Sequence, residues 1–172
     1  MEDFMKLVRE RYSERRFDRS REVESEKLAQ LLEAARLAPT ACNDQAWRIY
    51  VLGGQSGEQT TRAATRSYFH APLHLLLCAV DDQAWRRSTD GFSTADIDIG
   101  IVGTHIVLAA EAQELKSCII CAFDPDVLRK EVPLPAEVRP VMLLAIGYPS
   151  ERSAPGPRHS VRKSLDELVR SV

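Results

Sequence analysis

Apolar positions recur with a helical period twice near the start of the chain. Phe4, Leu7 and Val8 mark a short amphipathic stripe that breaks into the polar run RYSERRFDRSRE, a loop candidate. Ser25 then offers an N-cap, and Leu28, Leu31, Leu32 and Ala35 repeat at i, i+3, i+4 and i+7 until Pro39 stops the helix. Beyond APTACNDQAW the pattern changes to continuous apolar runs. RIYVL reads as a strand closed by Gly53-Gly54, and LHLLLCAV as a strand buried on both faces, with a helix predicted over 57–67 between them. Residues 81–94 are polar, contain Asp90-Gly91 and read as an exposed loop able to line a site. From Ala95 to about Leu115 a long, largely buried helix is expected, with Ile97, Ile101, His105, Leu108 and Ala112 marking one face.

SCIICAF reads as a third strand, and Asp124-Pro125 supplies an N-cap and a first-turn proline for a short helix ending before Pro133. VMLLAIGY reads as a fourth strand. PSERSAPGPRHS, with three prolines and a glycine, reads as an extended arm over 149–172 that ends in the short amphipathic turn VRKSLDELV. Strands alternating with helices suggest, by themselves, a parallel doubly wound sheet. Yet no strand runs into a G-x-G-x-x-G turn or a phosphate-binding P-loop.

Composition narrows the function classes. The 172 residues, 44% hydrophobic and 28% charged, suit one globular domain over 1–172. A formal net charge of -2 gives no global pull on a polyanion, so nucleic acid is not the favoured partner. MEDFMKLVRERYS lacks the apolar core of a signal peptide, and the apolar runs fall short of a membrane span, so the cytoplasm is the expected location. Cys42, Cys78, Cys118 and Cys121 fit reduced thiols there. The C-x-x-C made by Cys118 and Cys121 lies in an apolar strand with no second copy, which favours buried core thiols over redox or zinc chemistry. His105 reads as a hydrogen-bonded core histidine rather than a metal ligand.

Three segments carry candidate chemistry. In RYSER, Arg11, Ser13 and Arg15 combine guanidinium forks with a hydroxyl, the groups a phosphate dianion needs; the alternative is a solvated loop whose arginines pair with Glu10, Glu14 and Glu22. In APTACNDQAW, Pro39, Thr40, Asn43 and Gln45 stand between a helix end and a strand. Their polar groups suit the amide-like edge of a flavin or nicotinamide, or simply local turn bonding. Arg162-Lys163 ends the arm with two cations.

Taken in order, RYSERRF, APTACNDQAW, DIDIGIVGTHIVLAAEAQEL, the third strand with FDP, VMLLAIGYP and VRKSLDELV resemble the FMN-dependent nitroreductase family over about residues 1–169. The resemblance implies an α+β, three-layer α/β/α fold with a mostly antiparallel central sheet, built as an intertwined homodimer with FMN at the interface. It implies that Arg11, Ser13 and Arg15 hold phosphate and ribityl groups and that Arg162, with Lys163 beside it, closes on the same phosphate. Pro39, Thr40, Asn43 and Gln45 would approach the ring from the partner subunit. The implied reaction is ping-pong hydride transfer from NADH or NADPH through the flavin to a nitro compound, a quinone or a similar small acceptor, with no side chain obliged to act as acid or base.

ELKSCIIC departs from the family's pattern. Glu114, Lys116 and Cys121 replace glycines, Ile119 replaces an aromatic residue, and Ala46 replaces a common proline. Glycine at such a turn permits positive φ, so these changes bear on flavin affinity and turnover. They leave a flavin-binding scaffold with little turnover as the rival reading.

Overall fold

The computed structural model describes residues 1–172. Its elements are α1 (Glu2–Glu10), α2 (Ser25–Arg36), a single 3-10 turn (Ala41–Asn43), β1 (Trp47–Gly53), α3 (Gly54–Ala64), β2 (Leu73–Val80), α4 (Ala95–Ala112), β3 (Lys116–Ile120), α5 (Pro125–Glu131), β4 (Val138–Gly147) and α6 (Leu165–Leu168). The four strands form one sheet in the order β1-β2-β4-β3, and every neighbouring pair is antiparallel. The antiparallel sheet implied by the family resemblance is therefore the one found, and the parallel one suggested by alternation alone is not.

Side-chain alternation explains the three layers. In β2, Leu73, Leu75, Leu77 and Ala79 point to one face, where they meet Leu31 and Ala35 of α2 and Ile99, Val102, Ile106 and Ala110 of α4. Leu76, Cys78 and Val80 point to the other face, towards Ala64 of α3 and Leu128 of α5. β4 repeats the division, with Leu144 and Ile146 on the first face and Leu143 and Ala145 on the second. A leucine removed from water in this way contributes about 1.5–3 kcal/mol, which is why the two central strands can be apolar throughout. α3 lies directly on β1 because Gly57 has no side chain: a Cβ there would collide with the Leu52 carbonyl.

Several boundaries shift from their sequence-based positions. Glu24, not Ser25, stands at the N-cap position of α2, with no capping bond from its side chain, and Ser25 is the first helical residue. The helix expected over 57–67 starts at Gly54 and ends at Ala64. α4 stops at Ala112, and its inward face is Ile99, Val102, Ile106 and Ala110; Ile97 is half exposed and Ala112 faces solvent. β3 ends at Ile120, so Cys118 is buried as expected whereas Cys121 is exposed. Asp124 does cap α5, accepting from the N–H groups of Asp126 (2.9 Å) and Val127 (3.3 Å), with Pro125 in the first turn.

Candidate functional site

The RYSER segment leaves α1 in an extended conformation and runs along the end of the sheet. Glu14 N–H donates to the Ser117 carbonyl at 3.0 Å beside β3, and Asp18 N–H to the Tyr148 carbonyl at 2.9 Å beyond β4. Extended backbone sends alternate residues to opposite sides. Ser13 and Arg15 face outward, Arg11 is half-buried beside them, and Glu14 turns inward and is only 2% exposed.

Glu14 does not pair with the arginines' side chains. One carboxylate oxygen accepts the backbone N–H groups of Arg15 (2.8 Å) and Arg16 (2.7 Å), and the other accepts the Ser153 hydroxyl. Because that hydroxyl spends its proton on Glu14, the Tyr12 hydroxyl donates to Ser153, at 2.7 Å. Burial pushes the Tyr12 phenol up, Ser153 opposes this and Glu14 adds to it. A buried carboxylate thus fixes the backbone carrying Arg15 and ties residues 12–16 to the C-terminal arm.

The arm then folds back over the motif. Arg11, Ser13, Arg15 and Arg162 line one pocket of about 340 Å³, together with Tyr12, Arg158 and His159 and the Gly156-Pro157 turn. Four guanidinium groups and no carboxylate line it, and none of the four is in an ion pair. His159 meets the Tyr12 ring edge-on, with centroids 6.1 Å apart. Such a pocket suits a phosphate dianion, which several charge-assisted donors hold better than water does. Arg158 and His159 were not singled out from the sequence; the signal available was an arginine and a histidine directly after the Pro-Gly-Pro turn. Lys163 is exposed and outside the lining.

Pro39, Thr40, Asn43 and Gln45 form a separate group, none of which lines this pocket. Cys42, Asn43 and Gln45 take positive φ angles of 51°, 59° and 50°, conformations that side chains disfavour. The turn is held from below by the buried Asp98 of α4, whose carboxylate accepts Ala41 N–H and the Thr94 hydroxyl, both at 3.2 Å. Thr40 accepts Gln45 N–H through its hydroxyl at 3.1 Å, and the Gln45 amide donates to the Asn43 carbonyl at 3.2 Å. The local turn bonding is therefore present. Pro39, Asn43 and Gln45 are nevertheless exposed, so their remaining polar capacity faces outward.

The altered turn after α4 has left its imprint. Glu114 sits at φ 63°, the left-handed conformation that a glycine would adopt without strain. Lys116 pairs with Glu111 at 2.5 Å and places its ammonium 4.9 Å from the centre of the Tyr12 ring, so it props up the cationic pocket from beneath. Burial pushes the Cys78 thiol up to about 12 and raises that of Cys118, which makes both poor nucleophiles. His105 donates to or accepts from nothing beyond its own helix, meeting the Ile101 carbonyl at 2.9 Å.

Comparison with known proteins agrees with this architecture. The profile of the nitroreductase family matches residues 8–71 and 57–148. A solved nitroreductase family protein from Clostridium difficile 630 superimposes with a TM-score of 0.89 at 38% identity, covering 95% of each chain. Chloronitrobenzene nitroreductase of Comamonas testosteroni is 25% identical over 96% of this chain and 95% of its own. FMN reductase (NAD(P)H) of Bacillus subtilis is 30% identical over 79% of this chain and 62% of its own. With its antiparallel sheet between two helical layers and its matched span running from the first helix to the end of β4, the chain belongs to the nitroreductase family.

Proposed function

We propose that the chain is an FMN-dependent NAD(P)H oxidoreductase acting on nitro compounds, quinones or similar small acceptors, and that it works as a homodimer in the cytoplasm. The observation that carries this reading is the pocket in which Arg11, Ser13 and Arg15, from one end of the chain, meet Arg158 and Arg162, from the other. Unpaired guanidinium groups, a hydroxyl and no competing carboxylate fit a phosphate monoester. Arg11, Arg15 and Arg162 would hold FMN there through bidentate contacts, with Ser13 adding a hydroxyl and Lys163 a more distant charge.

When bound, FMN supplies the chemistry of accepting a hydride from NAD(P)H and passing it to the acceptor. The chain's own residues bind and orient. Glu14 keeps the Arg15 backbone in place and Lys116 supports Tyr12, and Pro39, Thr40, Asn43 and Gln45 would face the ring of the partner's cofactor.

Dimerisation is supported by apolar surface that the single chain leaves open. α1 buries none of its residues, with Phe4 53% exposed, and Leu165 and Leu168 of α6 are 75% and 63% exposed. A second copy of the chain would cover this surface. No helix is long and apolar enough to cross a membrane, which accords with a cytoplasmic enzyme.

Absorbance spectroscopy of the purified protein tests the reading. The expected result is a yellow protein, bleached by NADH or NADPH without oxygen and restored by a nitroaromatic. A colourless chain that ignores added FMN overturns it, and a yellow chain that neither donor bleaches favours the scaffold with little turnover.

A further inference from the structure

Glu58, His70 and Tyr68 stand in one line of hydrogen bonds. His70 Nδ1 meets a Glu58 carboxylate oxygen at 3.0 Å, and its Nε2 meets the Tyr68 hydroxyl at 2.9 Å. A carboxylate only accepts, so Nδ1 carries the proton of the first contact. Nε2 of the neutral ring is then bare, and the Tyr68 hydroxyl donates to it. Carboxylate, imidazole and hydroxyl thus follow the order in which an oriented imidazole exchanges a proton with a hydroxyl.

A strained turn holds the two rings together, with centroids 4.4 Å apart. The Ala71 N–H donates to the Tyr68 carbonyl at 3.2 Å, closing a four-residue turn whose central residues, Phe69 and His70, both take φ 53°. Positive φ at both central positions suits Asn-Gly, not two bulky side chains. The fully buried His74 of β2 secures the turn from inside, its Nε2 2.9 Å from the same carbonyl, and Glu58 reaches the His70 ring from α3. Strain that the surroundings keep in place points to a task for the side chains it presents.

Tyr68, Phe69 and His70 line a cavity of about 690 Å³ that adjoins the phosphate pocket and shares Arg15 with it. On the flavin reading, the rest of the cofactor whose phosphate fills that pocket would extend into this cavity. Five arginines and no carboxylate also line it, a setting that favours negative charge left on an oxygen there.

We propose that Tyr68, backed by His70 and Glu58, donates the proton that an acceptor takes up with its hydride, an inference that rests on the flavin reading. NAD(P)H supplies the hydride by way of the flavin and is oxidised; the acceptor, such as a quinone, is reduced and left with a negative oxygen. With the His70 ring protonated and its charge balanced by Glu58, Nε2–H donates to the phenol oxygen and the phenol proton is free to face the cavity. The Tyr68 O–H bond breaks as the acceptor's new O–H bond forms. The electron pair left on Tyr68 takes the proton of His70 Nε2, and solvent returns a proton to the ring.

Rapid-mixing absorbance of the FMN-loaded, NADH-reduced protein tests this with two acceptors: benzoquinone, which takes up protons with its electrons, and ferricyanide, which takes electrons alone. In Tyr68→Phe, which keeps the ring and loses only the hydroxyl, the ratio of the benzoquinone rate to the ferricyanide rate is expected to fall at least about tenfold. His70→Gln is expected to lower it as well. A ratio that holds in either variant, whether both rates stay or both fall together, overturns the proposal. A second readout is independent of turnover: long-range 1H–15N NMR spectra of the oxidised protein should show His70 protonated at Nδ1, moving to the Nε2–H form in Glu58→Ala. An Nε2–H ring in the unaltered protein, or no movement in the variant, overturns the relay. A chain that takes up no FMN, or that NADH does not bleach, loses the flavin reading and this donor with it; a yellow, bleachable chain whose ratio is unmoved loses this inference alone.

Discussion

The 11–16 and 39–45 segments are both short, polar and irregular, yet they are built on opposite plans. In the first, strain is low and charge is high: a buried carboxylate, Glu14, satisfies two consecutive backbone N–H groups, and the arginines around it have no anionic partner. In the second, charge is low and strain is high, with three side-chain-bearing residues at positive φ held by Asp98 from below. The first closes into a pocket within one chain. The second presents polar groups to solvent and lines none of the larger cavities, as expected of a surface completed by another molecule.

The largest expected effect lies outside both segments and sets the background against which they are compared. His74 is fully buried in β2, and burial outweighs its bond to the Tyr68 carbonyl and the pull of Glu58, so its pKa drops from 6.5 to about 4. The unfolded chain therefore takes up this proton first as the pH falls. Stability is intact above pH 6.5 and declines by up to about 3 kcal/mol as the pH approaches 4. Urea denaturation across that window measures the decline, and a flat profile would remove His74 as its source.

Glu14→Ala should follow in size, costing about 2–3 kcal/mol because it strips the shared acceptor from the Arg15 and Arg16 N–H groups and from the Ser153 hydroxyl, and weakening FMN binding as Arg15 is released. Denaturant midpoints and flavin titration report the two effects; a loss of stability with unchanged affinity would separate Glu14 from the site. Arg15→Ala and Arg162→Ala should each weaken FMN by about tenfold or more at little cost in stability, and Lys163→Ala by much less. Equal effects of Arg162 and Lys163 would mean that net charge, not the pocket's geometry, holds the phosphate. The smallest change is expected in the strained turns: Glu114→Gly and Gln45→Gly should each raise stability by up to about 1 kcal/mol, seen as a higher denaturant midpoint. A drop at Gln45 would show that its bonds to Thr40 and Asn43 outweigh the strain.

The strands were readable because β2 and β4 are buried on both faces and so appear as unbroken apolar runs. Strand direction was not, since alternation of helix and strand says nothing about how each connection returns; only the ordered family segments pointed to the antiparallel sheet. α4 misled for a related reason. It is apolar almost all the way round, so its periodicity cannot select a face, and Ile97 through Ala112 was chosen where Ile99 through Ala110 packs inward. Arg11, Ser13, Arg15 and Arg162, grouped through the family resemblance, do line one pocket. Arg158 and His159 were missed because an arm 140 residues away in sequence carries no local sign of folding over the motif. The alternative that paired the arginines with Glu14 fails because Glu14 turns inward, which nothing in its sequence neighbours shows.

The pocket made by Arg11, Ser13, Arg15, Arg158 and Arg162 is proposed to recognise the phosphate of FMN. Comparing the affinity of the wild-type protein for FMN and for riboflavin, which has the same ring and ribityl chain but no phosphate, tests this most directly. Riboflavin is predicted to bind at least about a hundredfold more weakly, as the loss of several charge-assisted hydrogen bonds requires. Equal affinity for the two would mean that these residues do not recognise the phosphate.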